Sequence, residues 1–357
     1  MTVDADFWRG KRVFLTGHTG FKGGWLSLWL QQLGADVHGL ALAPQGAHNL
    51  FTEARVAEGM AGGFADIRDL GAVQAAMAAF RPDIVIHMAA QPLVRASYAQ
   101  PVETYATNVM GTVHLLEAVR QTAGVRVVVN VTTDKCYENK EWAWGYREDE
   151  PMGGRDPYSS SKGCAELVSS AYRCSFFQQG GPSLATARAG NVIGGGDWAT
   201  DRLVPDILRA FERSEPVVIR NPHSTRPWQH VLEPLSGYLA LAQALVQAPA
   251  ATPRAVNFGP DPASFCTVRE VVDHFSASFA GRPGWRRDAG THPKEASALT
   301  LSSALAFESL GWRPRLAVGE ALSWTADWYR AHAAGEDMTK YSEAQITRYE
   351  SLPMERS

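Results

Sequence analysis

From residue 11 to about residue 190 the chain alternates two patterns of apolar positions. Short apolar runs occur at RVFLT (12–16), DVHGLAL (36–42), DIVIHMA (83–89), VRVVVNVTT (125–133) and SLATARA (183–189). Between them lie longer amphipathic stretches near 22–33, 69–80, 99–122 and 157–179. This strand–helix alternation predicts a parallel sheet wrapped by helices on both faces, an α/β fold of the doubly wound, Rossmann type. After about residue 190 the rhythm breaks into the loops GGGDW and RNPHSTRPWQ, between helical stretches at 203–213, 231–248, 267–279 and 317–333. That change predicts a smaller C-terminal lobe over the carboxyl ends of the strands, where open α/β sheets bind ligands. The expected division is 1–190 for the nucleotide-binding part and 191–357 for the second lobe, partly interleaved. The polar closing segment, TKYSEAQITRYESLPMERS, suggests a frayed end.

Composition narrows the function classes. A formal charge of -3 provides no basic field for nucleic acid, so any anion must be gripped locally. No window approaches the ~18 apolar residues of a membrane span. The opening MTVDADFWRGKR carries early acids and no apolar stretch, unlike a signal peptide. Cys136, Cys164, Cys174 and Cys266 show no metal-ligand spacing, so no metal is expected, and they fit reduced thiols in a cytoplasm.

The first strand runs into TGHTGFKGG, with Gly17, Gly20 and Gly23 at three-residue steps, and then into the apolar WLSLWLQQL. Glycines at a strand-to-helix turn let the backbone approach a pyrophosphate, and the helix N-terminus offers unpaired N–H groups. Thr19 and Phe21 lie in the same loop. An acidic residue usually follows the second strand to bind the adenosine ribose; here the stretch reads LALAPQG, with Ala43 in that place. Asp66, in FADIRD beside Ile67, either touches the adenine or caps the next helix.

Tyr158 and Lys162 in DPYSSSKGCAEL stand four residues apart, on one helix face. A phenol of pKa about 10 is a poor base at neutral pH, but neighbouring positive charge favours phenolate. Such a tyrosine can take the proton from a sugar hydroxyl as hydride leaves the same carbon.

GHTGFKG, HMAAQ, TTD and YSSSK in that order resemble the extended short-chain dehydrogenase/reductase family that acts on nucleotide sugars, over nearly the whole chain. The resemblance implies NAD as cofactor and a Thr133–Tyr158–Lys162 triad, with Thr133 on the substrate hydroxyl. It also implies that Ala89, Ala90 and Gln91 line the cofactor's path and that Asn108 fixes a bend nearby. An epimerase needs only the triad, because it removes a hydride and returns it. Asp134 and Lys135, directly after Thr133, resemble the extra acid and base of the 4,6-dehydratases. Those enzymes oxidise C4, remove the acidified C5 proton, protonate the departing C6 hydroxyl and return hydride to C6. Asp134 suits the acid and Lys135 the base. Burial and Lys162 push the Lys135 amine toward neutrality while Asp134 opposes them. Lys at the second position, with RAGNVIGGGDW and RPWQHV, resembles the CDP-glucose branch and implies CDP-glucose as the small-molecule substrate.

The resemblance places Asn191 and Asn257 on the substrate diphosphate. Arg226 offers a planar fork for phosphate oxygens, and Arg202 could reach the phosphate or the base. Trp198, Trp228 and His230 read as packing, and Cys136 as a packed thiol. Helices 99–122 and 157–179 resemble a four-helix dimer or tetramer interface, although an apolar face fits an internal core equally well. An epimerase, or a dehydratase of UDP- or dTDP-glucose, is the rival reading.

Overall fold

The computed structural model describes residues 3–353 apart from 179, 262–263, 280–283, 289 and 291–298. Its centre is a seven-stranded parallel sheet. The first six strands in sequence are β1 Arg12–Thr16, β2 Asp36–Ala41, β3 Ala61–Phe64, β4 Ile84–His87, β5 Val127–Val131 and β6 Ser183–Ala189. The seventh, Ala255–Phe258, adds beside β6, giving the spatial order seventh, β6, β5, β4, β1, β2, β3. The strand order turns back beside β1, and the crevice over that reversal is where such sheets bind nucleotides. Strands β4 and β5 are buried throughout, as expected of strands covered on both faces.

Two strands escaped the periodicity reading. The strand β3, AGGF, is fully exposed and has no apolar alternation; it pairs with β2 because its backbone can come close. A Cβ on Gly62 would lie 2.7 Å from the Gly39 carbonyl oxygen, so glycine is what permits the approach. The other, AVNF, belongs to the part of the chain expected to form the second lobe, yet it completes the main sheet.

The stretch expected as one helix over 99–122 is three pieces. Helix Pro101–Tyr105 leads into a π-helical turn, Ala106–Met110, and then into helix Gly111–Gln121. The predicted frayed end is also corrected. Residues Met338–Glu350 form a helix whose Ile346 and Tyr349 are fully buried. Its apolar positions are spaced to cover the helix Phe21–Gln32, and Trp29 donates to Glu350 at 2.7 Å. One apolar core therefore includes residues from both sides of position 190.

Candidate active site

A cavity of about 1150 Å³ opens along the carboxyl ends of the sheet. Its wall draws on the segments after β1, β2, β3, β4, β5 and β6, so it crosses the strand-order reversal. The glycine loop lies after β1. Gly17 has φ +80, and a Cβ there would sit 2.8 Å from the Ala89 nitrogen. A Cβ on Gly23 would sit 2.0 Å from the Gly17 carbonyl oxygen, which no side chain tolerates. Gly20 is the N-cap of helix Phe21–Gln32 and supplies no side-chain cap, so the first amides stay available to an anion. A dinucleotide pyrophosphate fits this cradle.

Around it, Thr19 donates to the Leu42 carbonyl at 2.9 Å, tying the loop to the end of β2. Past that end the wall holds Leu42 and Gln45, so a neutral amide lies near where a ribose-binding acid was sought at Ala43. Asp66 and Ile67 are on the wall, and the two readings of Asp66 separate. The helix Leu70–Phe80 is capped by Asp69, which accepts from the Ala72 amide. Asp66 instead binds Arg68 side chain and backbone, and that pairing lowers its pKa. Ala89, Ala90 and Gln91 line the wall after β4. Asn108 does not: it lies in the π-helical turn and accepts from the Gln91 amide at 2.8 Å while donating to the Gln91 carbonyl and Ser161. It holds the wall from behind.

The chemistry-bearing groups meet after β5. Thr133 continues the strand and caps a short 3-10 turn, Asp134–Cys136. Its hydroxyl donates to Asp134 at 2.9 Å, and both residues are nearly buried. The second Asp134 oxygen faces Gly190, where a Cβ would lie 2.9 Å away. The Lys135 ammonium is 3.9 Å from Asp134, with its side chain 37% exposed against 3% for the acid. This is an ion pair on a cavity wall.

Tyr158 and Lys162 rise from helix Pro157–Ser175, capped by Asp156. Burial pushes the Tyr158 phenol up to about 12, opposed by its hydrogen bond with Thr133 and the Arg202 charge and reinforced by Asp134. Burial pulls Lys162 down to about 8, against the Glu166 charge, and its ammonium donates to the Val131 carbonyl at 3.1 Å. Behind them Glu166 accepts from Thr132, Thr186 and Arg188, locking the strand that carries Thr133.

Asn191, Arg202 and Arg226 line the cavity, with Arg202 paired to Asp197 at 3.0 Å. Asn257 does not. The seventh strand places it in the sheet interior, fully buried, where it donates to the Tyr146 and Ser302 carbonyls and accepts from Tyr137. A side chain so engaged has nothing left for a diphosphate, which corrects the expectation. Trp228 is packed yet borders the cavity, Trp198 packs on Trp328 and Tyr329, and His230 is buried between Trp25 and Trp324. The Cys136 thiol is buried and held well above its ordinary pKa, unsuited to attack.

Residues 13–259 match the model of the NAD dependent epimerase/dehydratase family. The chain belongs to that family. It is 54% identical over 98% of its length to the CDP-glucose 4,6-dehydratase of Salmonella typhimurium, covering 99% of that protein. A UDP-glucose 4-epimerase of Mycolicibacterium smegmatis is 27% identical, over 89% of this chain and 98% of that one. Among solved structures, the epimerase Mth375 of Methanothermobacter thermautotrophicus superimposes with a TM-score of 0.81 over 95% of this chain and 97% of that one, at 21% identity. MoeE5, solved with UDP-glucuronic acid and NAD, aligns at 0.72 and 26% identity over 90% and 99% of the two chains.

As a family member the chain uses NAD, and the uncapped helix with its three glycines is the part of the cavity that fits it. Many wall residues escaped the sequence reading, three of them beside positions it had singled out. Lys22 stood inside the quoted glycine motif, Gln45 two places beyond Ala43, and Tyr137 directly after the DKC turn. Of the three, only Lys22 carried a signal that could have been used: a cation in an anion-binding turn.

Proposed function

We propose that this protein is a hydro-lyase that converts CDP-glucose to CDP-4-dehydro-6-deoxyglucose and water. The observation that carries the reading is the Asp134–Lys135 pair on the cavity wall, joined to the triad through Thr133. Hydride removal and return at one carbon needs no second acid and base; elimination of water does. The near full-length likeness to a CDP-glucose 4,6-dehydratase supports this substrate over other nucleotide sugars.

Tyr158 accepts the C4 hydroxyl proton, and Thr133 orients that hydroxyl. Bound NAD supplies the hydride acceptor that makes C4 a ketone and later gives the hydride back at C6. Lys162 and Arg202 supply the positive charge that makes the phenolate accessible. With C4 a ketone, the C5 proton is acidic; in the reacting state the proton of the Asp134–Lys135 pair rests on Asp134, and the neutral Lys135 amine takes the C5 proton. Asp134 delivers its proton to the departing C6 hydroxyl, its carboxyl oriented by Thr133, and the Lys135 ammonium, exchanged with solvent, protonates C5 when hydride reaches C6. Asn191 and Arg226 hold the substrate diphosphate, and residues 191–357 contribute most of the nucleotide-sugar side of the cleft.

A homodimer fits the surface. Val102, Met110 and Leu167 are apolar and exposed on the helices expected to form a four-helix interface. Val102→Asp with Leu167→Asp gives a monomer by light scattering; an unchanged mass removes this face as the interface. Among the described residues no helix is long and apolar enough to cross a membrane.

The deciding experiment is incubation with CDP-glucose and NAD in deuterated water, followed by mass spectrometry and NMR. Loss of water with one solvent deuterium at C5 is the expected result. A product of unchanged mass without deuterium identifies an epimerase. Turnover of UDP- or dTDP-glucose in place of CDP-glucose moves the substrate assignment.

A further inference from the structure

Lys22 is a cation that none of the steps above uses. It lies in the first turn of helix Phe21–Gln32, on the glycine loop, and lines the cavity. Its ammonium makes no hydrogen bond or ion pair among the described residues. The charged groups facing it come from three other segments. Asp134 and Lys135 belong to the turn after β5, Lys162 to the catalytic helix, and Arg202 to the residue before helix Leu203–Glu212. Tyr158 faces the same space as a neutral phenol. The one acid among them is already engaged: Asp134 by Thr133 and Lys135. A half-buried ammonium on the cavity wall, among three other cations and facing one occupied carboxylate, calls for an anion from outside the chain.

We propose that Lys22 grips a phosphate oxygen of a nucleotide diphosphate bound in the cavity and takes up a solvent proton as that oxygen arrives. The inference rests on the reading of the cavity as a site for NAD and a nucleotide sugar, and the diphosphate of either supplies the chemistry. Burial and the neighbouring cations hold Lys22 down at about 7. A phosphate oxygen within hydrogen-bonding reach reverses that balance and raises it. Between the two values binding takes up a proton and affinity falls as pH rises, levelling off above the higher one.

The test is isothermal titration of the full-length protein at about pH 8 in buffers of different ionisation enthalpy, with NAD and CDP-glucose titrated separately. Lys162 also titrates in this window, so the difference between wild type and Lys22→Met isolates Lys22. In the supporting result, Lys22→Met loses on the order of tenfold in affinity and part of the proton uptake. Lys22→Arg restores affinity without the uptake, because a guanidinium stays charged. That contrast separates charge from misfolding. A Lys22-dependent proton with NAD assigns the cofactor diphosphate, and one with CDP-glucose assigns the substrate. Unchanged affinity and uptake for both ligands in Lys22→Met overturns the proposal. Failure of the dehydratase reading looks different: wild type binds NAD but not CDP-glucose. The NAD titration then decides Lys22 alone, and a missing Lys22-dependent proton there also overturns it.

Discussion

Tyr158 and Lys162 stand one helical turn apart, and burial moves them in opposite directions, the phenol to about 12 and the amine to about 8. Both shifts favour the neutral form, so proton transfer at this site gains from each added positive charge. Tyr158→Phe is expected to lower turnover by roughly 10²–10⁴-fold while leaving NAD affinity within a factor of a few, read by titration alongside rate. A comparable loss of NAD affinity would make Tyr158 a binding group instead. Because the phenolate is the working form, log kcat/KM rises with pH through the neutral range, and Tyr158→Phe abolishes that slope. Lys135→Ala should separate the two halves of the reaction. C4 oxidation proceeds, seen as reduced-nicotinamide absorbance, but no 6-deoxy product forms. Normal product from this variant takes Lys135 out of the elimination.

At the scale of elements, the site depends on turns packed against one another more closely than side chains allow. Gly23 has the Gly17 carbonyl oxygen 2.0 Å from where its Cβ would lie, so Gly23→Ala must open the loop. NAD affinity is expected to fall at least about tenfold with helix content unchanged by circular dichroism; full affinity would show that the loop yields without consequence. Beneath the catalytic strand the buried Arg188–Glu166 pair is fully engaged, and Arg188 also donates to Tyr137. Removing Arg188 leaves the Glu166 carboxylate buried and uncompensated. Arg188→Ala should cost about 3–5 kcal/mol in denaturant unfolding, and a loss under ~1 kcal/mol would mean that water replaces the guanidinium. Strands with clear apolar density and helices with amphipathic spacing were legible in the sequence, because both signals are local. The strand AGGF was not, since its only requirement is closeness to Gly39. Asn257 was placed on the diphosphate by the family resemblance alone, whereas sheet pairing with Arg188 turns it inward.

Across the whole molecule, a buried acid is among the groups that hold the C-terminal helix. Glu233 accepts from the Tyr349 hydroxyl and from the Arg315 and Leu316 amides, and burial lifts its pKa to about 7. The unfolded carboxyl titrates near 4.3. Between those values the folded chain keeps a proton that the unfolded chain releases, so this group favours folding at low pH. Its contribution is lost as pH rises through about 7. It amounts to about 1–3 kcal/mol between pH 5 and 8, and Glu233→Gln should flatten the fall in Tm over that range by calorimetry. A slope equal to wild type would exclude Glu233 as its source.

By itself the sequence determined what depends on neighbours along the chain. That covers the alternation of strands and helices, the glycine turn that opens the first long helix, and the shared face of Tyr158 and Lys162. It also placed Thr133, Asp134 and Lys135 at one strand end, which is why the chemistry could be read before the fold. Tertiary structure decided which charges are buried and what they meet. It drew Asn257 into the sheet, turned Lys22 into the cavity and anchored the closing helix on Glu233. Burial and long-range pairing arise from sheet register and from segments more than a hundred residues apart, and no local spacing encodes them.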